Sequence, residues 1–261
     1  MNHGQYTTRL QAGLGMIDET RTLLDLWEEG MTVPSLQKAA LESGQFPTMA
    51  ARRLRNLVAE CFGPRYLNEN GQTVGLLKRL GKTVSSREME QLFFIHTCRA
   101  NAILADFVSE VYWPAYSGGR QTVSNDDAQA FVMKANEAGK TTKPWSPSTI
   151  RRVASYLTGS CADFGLLERG SKSTRKINPW RIESRVAGYL AYDLHFKGLG
   201  DNRIVSSDEW ALFGMDRRDV LEELRKLTLR GWVILQTAGD VTRIGWVHRS
   251  MEELANAIAQ E

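Results

Sequence analysis

One order of signals recurs along this chain up to three times: a capped short helix, a glycine break, then a longer helix with a single apolar stripe. In two of the three places a pair of short β-prone runs follows at once. A chain written this way buries one face of each helix against another helix, and its strands are too few and too short to build a layer of their own. That excludes sandwiches, barrels and doubly wound sheets at the outset.

The C-terminal copy is the clearest. Ser206 and Ser207 precede a short helix to about Leu212, and Gly214, Met215 and Asp216 form a turn. Residues 217–230 then place Val220, Leu221, Leu224 and Leu227 on one face. Gly231 stops that helix. Residues 232–237 and 241–247 alternate as strands about the turn Ala238, Gly239, Asp240, and 251–260 closes as a helix. In the central copy, Ser124 and Asn125 cap a helix to about Ala138, and 139–147 is a basic loop containing Pro144. Ser146, Pro147, Ser148 and Thr149 start a second helix running to Phe164, with Ile150, Val153, Leu157, Cys161 and Phe164 inward. Gly165 stops it, and 166–169 and 175–177 read as a hairpin about a turn at 170–174.

In the N-terminal copy, Leu14, Ile17, Leu23, Leu24 and Trp27 lie mostly at helical spacing within 10–27. Pro34 opens a short helix, Ser43, Gly44 and Gln45 turn, and Pro47 and Thr48 start a helix with the stripe Leu54, Leu57, Val58 and Cys61. Gly63 and Pro64 are expected to stop it. Residues 68–82, with Asn68, Gly71, Gly75 and Gly81, read as a linker, and Ser85 or Ser86 caps a long helix to about Tyr112, before Pro114. The expected fold is mainly α, with multiple helix-turn-helix and winged-helix units carrying short β-hairpin wings. The expected domains are an N-terminal helix-turn-helix domain (1–70), a central helical domain ending in a winged-helix-like unit (83–182) and a C-terminal winged-helix-like domain (183–261).

Catalytic chemistry finds no purchase. Cys61, Cys98 and Cys161 are odd in number and far apart, which excludes C-x-x-C zinc and redox sites and argues against a disulfide framework. His3, His96, His195 and His248 have no neighbour at metal-ligand spacing. Gly75 to Thr83 imitates a phosphate-binding P-loop, but five residues rather than four separate Gly75 from Gly81, and no buried strand precedes them. Gly13 and Gly15 lack the third glycine of a dinucleotide site. No catalytic residues, metal or cofactor are expected. The polar start of the chain has no signal-peptide pattern, and no apolar run approaches the roughly 20 residues of a membrane span, so a cytoplasmic, soluble protein is expected.

Charge distribution carries the positive signal. The whole chain has a net charge of +3, yet residues 140–182 hold nine Lys and Arg against Asp163 and Glu168, a local +7. A concentrated basic field on an otherwise slightly acidic protein suits a polyanion. With Val153 and Leu157 inward, 100° per residue turns Arg151, Arg152, Ser155 and Thr158 outward near the helix start, beside Thr149. Lys140 and Lys143 lie in the loop before it, and Lys172, Arg175 and Lys176 on the expected wing. In the N-terminal copy the same arithmetic turns Arg52, Arg55 and Asn56 outward with Arg53 at the flank, and Thr48 caps the helix or meets a phosphate. Arg and Asn are residue types that read guanine and adenine. The C-terminal copy mixes Arg218 and Arg225 with Asp219, Glu222, Glu223 and an outward Leu229, a face suited to protein rather than a duplex.

Several segments together resemble the BrxA family, small components of bacteriophage exclusion (BREX) loci. They are the opening 6–14 followed by Glu19, Thr20 and Arg21; residues 48–57; residues 105–111; and 146–167, with Ser148 and Thr149 before the helix and Gly165, Leu166 and Leu167 after it. The similarity spans about 5–182. It implies a helical, non-enzymatic protein of phage defence associated with DNA binding, from loci that also encode a methyltransferase, an ATPase and a phosphatase-like protein. It supplies no catalytic residues. The expected function is therefore double-stranded DNA binding, mainly through phosphates, within a BREX system. A protein scaffold docking the methyltransferase or ATPase, or an RNA-binding antitermination-like protein, stands as the alternative.

Overall fold

Capping and packing rules account for most of the helices in the computed structural model, which describes residues 5–13, 16–68, 71–170 and 172–260. His3, Leu14 and Gly15, Glu69 and Asn70 of the expected linker, and Ser171 of the expected turn lie outside the described residues. The protein is mainly helical, with two small antiparallel sheets. By their internal contacts its residues form two compact units, one of 1–75 with 93–180 and one of 76–92 with 181–261.

The first unit begins with a 3-10 turn, Thr8–Gly13, and the helices α1 (Ile17–Leu26), α2 (Val33–Glu42) and α3 (Ala51–Asn56). Thr32 and Ser35 form the capping box that starts α2. The α2–α3 connection covers 43–50, longer than the tight turn expected, and Ala50 rather than Thr48 is the N-cap of α3. Gly63 and Pro64 do not stop the run. The chain widens into a π-helical stretch, Leu57–Phe62, and continues as α4 (Gly63–Tyr66). The Gly63 N–H reaches back five residues to the Val58 carbonyl. A π-turn of this kind gives the proline ring the room that a regular helix denies it. Gly63 is also needed for packing, since a Cβ there would lie 2.9 Å from Val33 Cγ2.

The expected linker is largely helix, α5 (Gln72–Leu80), with Val74, Leu77 and Leu80 buried. Gly75 is a helical residue there rather than a flexible one, and a Cβ on it would make ordinary van der Waals contact with the Trp27 ring at 3.6 Å. The long helix expected to Tyr112 is broken instead. α6 (Ser86–Ala100) ends at Asn101, whose backbone leaves the helical region; α7 (Ala102–Phe107) follows, then a π-helical stretch, Val108–Tyr112, and α8 (Trp113–Ser117). Pro114 sits in the first turn of α8, as Pro64 does in α4, and again a π-turn precedes it.

The rest of this unit follows a strand–helix–helix–strand order: β1 (Thr122–Ser124), α9 (Asn125–Glu137), α10 (Pro147–Asp163) and β2 (Thr174–Lys176). Ser124 and Asp127 cap α9 reciprocally, Ser146 caps α10, and Pro147 occupies its first turn. Gly165, at φ +80, ends the run as only glycine does without strain. The hairpin expected from 166–169 and 175–177 is reduced to a Leu167–Ile177 bridge flanked by Glu168 N–H to Lys176 and Asn178 N–H to Leu166. The principal partner of β2 is β1, in register Thr122 with Lys176 and Ser124 with Thr174. β2 therefore lies between β1 and residues 166–168. Edge-on aromatic contacts fill the core, with Phe94 meeting Phe164 at 5.4 Å and Trp180 at 5.1 Å.

Besides residues 76–92, which carry most of α5 and the start of α6, the second unit holds α11 (Ser184–Phe196), α12 (Asp201–Val205), a 3-10 turn (Asp208–Phe213), α13 (Arg217–Leu229), β3 (Val233–Ala238), β4 (Val241–Trp246) and α14 (Met251–Ala259). The β3–β4 hairpin closes on Gly239 and Asp240. Side chains satisfy the free edge of β4: Asn202 accepts from the Thr242 N–H and Asp201 from the Ile244 N–H, both at 2.9 Å. Gly188 leaves space in α11 for the Trp232 ring, 2.7 Å from where a Cβ would sit. Leu221, expected inward, is half-buried, while Leu229 is 89% exposed as expected.

Candidate nucleic-acid interface

The candidate DNA-contact residues all fall in the first unit, and they divide by what their side chains already hold. On α10 the apolar stripe Ile150, Val153, Leu157 and Cys161 is buried. The helical turn therefore leaves Arg151, Arg152 and Ser155 exposed, with Thr149 half-buried at the start. Thr158 turns inward instead. It is 1% exposed and donates to Asn125 Oδ1 at 2.5 Å, tying α10 to the start of α9. An inward hydroxyl so satisfied is a packing residue.

Arg151, Arg152, Lys143 and Lys176 are exposed and have no ion-pair partner among the described residues. Arg52, Arg53 and Arg55 on α3 are likewise exposed with no ion-pair partner among the described residues, and Asn56 is exposed beside them; the Arg55 carbonyl accepts from the Gln37 side chain at 2.9 Å. The Thr8–Gly13 turn packs against both the Leu57–Phe62 stretch that continues α3 and against α10.

Three of the charged candidates are already committed. Lys140 lies 3.7 Å from Asp106 and 3.6 Å from Glu110, and its ammonium stands 5.7 Å from the Tyr6 ring centre. Asp106 is buried and accepts the Tyr6 hydroxyl at 2.5 Å. Burial first, then the adjacent carboxylate, push the Tyr6 phenol well above its ordinary range. Lys172 pairs with Glu168 at 3.6 Å on the surface, a contact of small worth. Arg175 is half-buried rather than outward, because its β2 position pairs with buried Val123 of β1. Its guanidinium donates to the Glu168 carbonyl at 3.1 Å.

The structure brings Lys143, Thr149 and Arg152 around one cavity of about 400 Å3, together with Thr142, Trp145 and Ser146. Sequence reasoning assigns Ser146 only a capping role and passes over Thr142 and Trp145. The local signal was present in the run Thr-Thr-Lys-Pro-Trp-Ser before a helix, but its meaning depends on the wall supplied by Thr8 from the start of the chain. The loop is held rather than loose: the Tyr6 N–H donates to the Lys140 carbonyl at 2.7 Å, and Asn136 Oδ1 accepts from the Thr141 hydroxyl and the Trp145 N–H at 3.1 and 2.8 Å.

A family model, BrxA, matches residues 4–193. The chain belongs to the BrxA family. The match includes all of the basic stretch and ends within α11, so it takes in α3, the cavity and β2 alike. No curated protein matches the chain. BrxA membership implies a BREX-associated role alongside other BREX components, in a family that is generally non-catalytic. Among the described residues of this BrxA-family chain, no three His, Cys, Asp or Glu gather as a metal site, and no helix is long and apolar enough to cross a membrane. The three cysteines are free and buried, and burial raises the Cys61 and Cys161 thiols above their usual range, which keeps them unreactive.

Proposed function

We propose that this chain is a non-catalytic, double-stranded DNA-binding component of a BREX phage-defence system, held to DNA mainly by phosphate contacts. The observation that carries the reading is the exposed face of α10, where Arg151 and Arg152 stand without acidic partners among the described residues, with Lys143 in the loop before the helix and Lys176 exposed on β2. Phosphate neutralisation needs such uncommitted cations, since each contact releases condensed counterions. The order β1, α9, α10, β2, with β2 between β1 and 166–168, supports a winged-helix reading with α10 as the helix presented to DNA. Thr149 and Ser155 add neutral donors on that helix, and Arg52, Arg53, Arg55 and Asn56 form a second contact set. Free cations outnumber base-reading side chains, so sequence specificity is weak, with a nonspecific Kd of about 10−6–10−4 M at physiological salt.

Fluorescence anisotropy with duplex DNA, single-stranded DNA and duplex RNA across a salt series tests the proposal. Saturable, salt-sensitive binding that favours duplex DNA is expected; a preference for RNA or no binding at all overturns it.

A second reading has its own observation. On α13 Arg218 pairs with Glu222 at 3.6 Å, and Leu229 and Ile234 are exposed beyond it. A neutralised, partly apolar surface supports a protein partner for the second unit, compatible with a place among other BREX components.

A further inference from the structure

The cavity at the start of α10 has the makings of a site for a discrete anionic ligand. Three stretches wall it: Thr8 from the N-terminal turn, the 142–145 loop, and the opening turns of α10. Lys143 and Arg152 line it, and neither has an ion-pair partner among the described residues. The hydroxyls of Thr142, Ser146 and Thr149 line it too, and among the described residues no acidic side chain does. Two uncompensated cations with several hydroxyls in one concavity match the donor set a phosphoryl group needs. The positive end of α10 adds to that set.

Size narrows the ligand. At about 400 Å3 the space exceeds what a lone phosphate fills, and it falls in the range of small-molecule sites. Pro144 and Trp145 supply the less polar part of the wall, suited to the sugar or base carried by a phosphate. The backbone ties of the loop to Tyr6 and Asn136 hold these groups in place before any ligand arrives, which lowers the ordering cost of binding.

We propose that this cavity binds a nucleoside monophosphate unit, with Lys143, Arg152 and the flanking hydroxyls on the phosphate. The unit comes either from a free nucleotide or from a nucleotide of a DNA strand. The site goes beyond the DNA-binding reading and stands without it, because its donors converge on one half-open concavity rather than along the exposed face of α10.

Isothermal titration of the full chain with dAMP, inorganic phosphate and deoxyadenosine at constant ionic strength tests it. One-site binding of dAMP is expected, with weaker binding of phosphate and none of deoxyadenosine. Lys143→Gln with Arg152→Gln should weaken dAMP at least about a hundredfold, roughly tenfold per lost charge-assisted contact. Arg243→Gln, an exposed cation of the second unit that does not line the cavity, should leave dAMP binding unchanged. No saturable binding of dAMP to the wild type, equal binding of deoxyadenosine, or undiminished binding in a double variant with wild-type circular dichroism each overturns the site. Displacement of labelled duplex by saturating dAMP identifies a DNA nucleotide as the occupant. Duplex that stays bound identifies a free nucleotide. A chain that binds dAMP but no duplex retains the site while losing the DNA reading.

Discussion

Replacing Arg151, Arg152 and Lys176 with alanine removes three cations that the fold leaves unpaired and exposed. Each phosphate neutralised contributes about 0.9 to the slope of log K against log salt, so losing three contacts flattens the slope by up to about 2.7. Between 50 and 200 mM salt, a fourfold change, that slope difference means the wild type loses about 40-fold more affinity than the variant. The control removes the same formal charge from the second unit: Arg218→Ala, Arg225→Ala and Arg243→Ala. Those side chains are exposed, and Arg218 is paired with Glu222, so only the long-range field changes, which salt screens. Anisotropy of a labelled duplex at five or more salt concentrations measures both slopes. Equal flattening by the two triple variants, or an unchanged slope in the first, would show that α10 and β2 do not face the phosphates.

Three further outcomes test the fold that positions these residues. Tyr6→Phe deprives buried Asp106 of its hydroxyl partner and should cost about 1–3 kcal/mol in urea unfolding; a change below about 0.5 kcal/mol contradicts the role given to that contact. Gly63→Ala forces a methyl to 2.9 Å from Val33 Cγ2 and 3.1 Å from the Val58 carbonyl and should destabilise by about 1–3 kcal/mol. Gly75→Ala, with 3.6 Å to Trp27, should be neutral or stabilise by up to about 1 kcal/mol through helix propensity, and thermal melts that reverse this order refute the packing account. At Asp127, burial opposes the ionised form, but hydrogen bonds from Arg120 and Ser124 outweigh it and hold the carboxyl below its usual range. Its contribution is thus complete above the unfolded value, near pH 4, and lost as pH falls through the lower folded value. Asp127→Asn should reduce the loss of Tm between pH 5 and 2.5, and an unaltered pH profile speaks against that linkage.

What could be read from the sequence is what neighbours in the chain decide. The starts of α9, α10 and α13 follow from Ser124, Ser146 and Asp216, whose caps act within three residues. The β3–β4 hairpin follows from alternation about Gly239 and Asp240. Errors arise where a local rule meets a tertiary remedy. Pro64 and Pro114 look like stops, yet π-turns at Leu57–Phe62 and Val108–Tyr112 accommodate both. Gly75 looks like a linker residue, yet Trp27 makes it a helical contact. β1 spans only Thr122–Ser124 with Val123 alone buried, too short for alternation to register, and without it the outward placement of Arg175 comes out reversed.

The same distinction governs the candidate site. Turning α10 by 100° per residue places Arg151, Arg152 and Ser155 on its exposed face without any tertiary knowledge. Summing charge over 140–182 treats all nine cations alike. The structure separates charge that is spent from charge that is free. The acids that engage Lys140 are Asp106 and Glu110, on segments upstream of the window that was summed. Lys172 and Arg175 both engage Glu168, through its carboxylate and its carbonyl respectively. The cations of that stretch that stay exposed with no ion-pair partner among the described residues are therefore Lys143, Arg151, Arg152 and Lys176 in the first unit and Arg181 in the second. Lys140 instead helps hold the loop that carries Lys143, since the chain segment it belongs to is bonded to Tyr6 while its ammonium sits between Asp106 and Glu110. A basic stretch of this kind works by division of labour, with some of its cations fastening the scaffold so that the others stay unpaired at its surface.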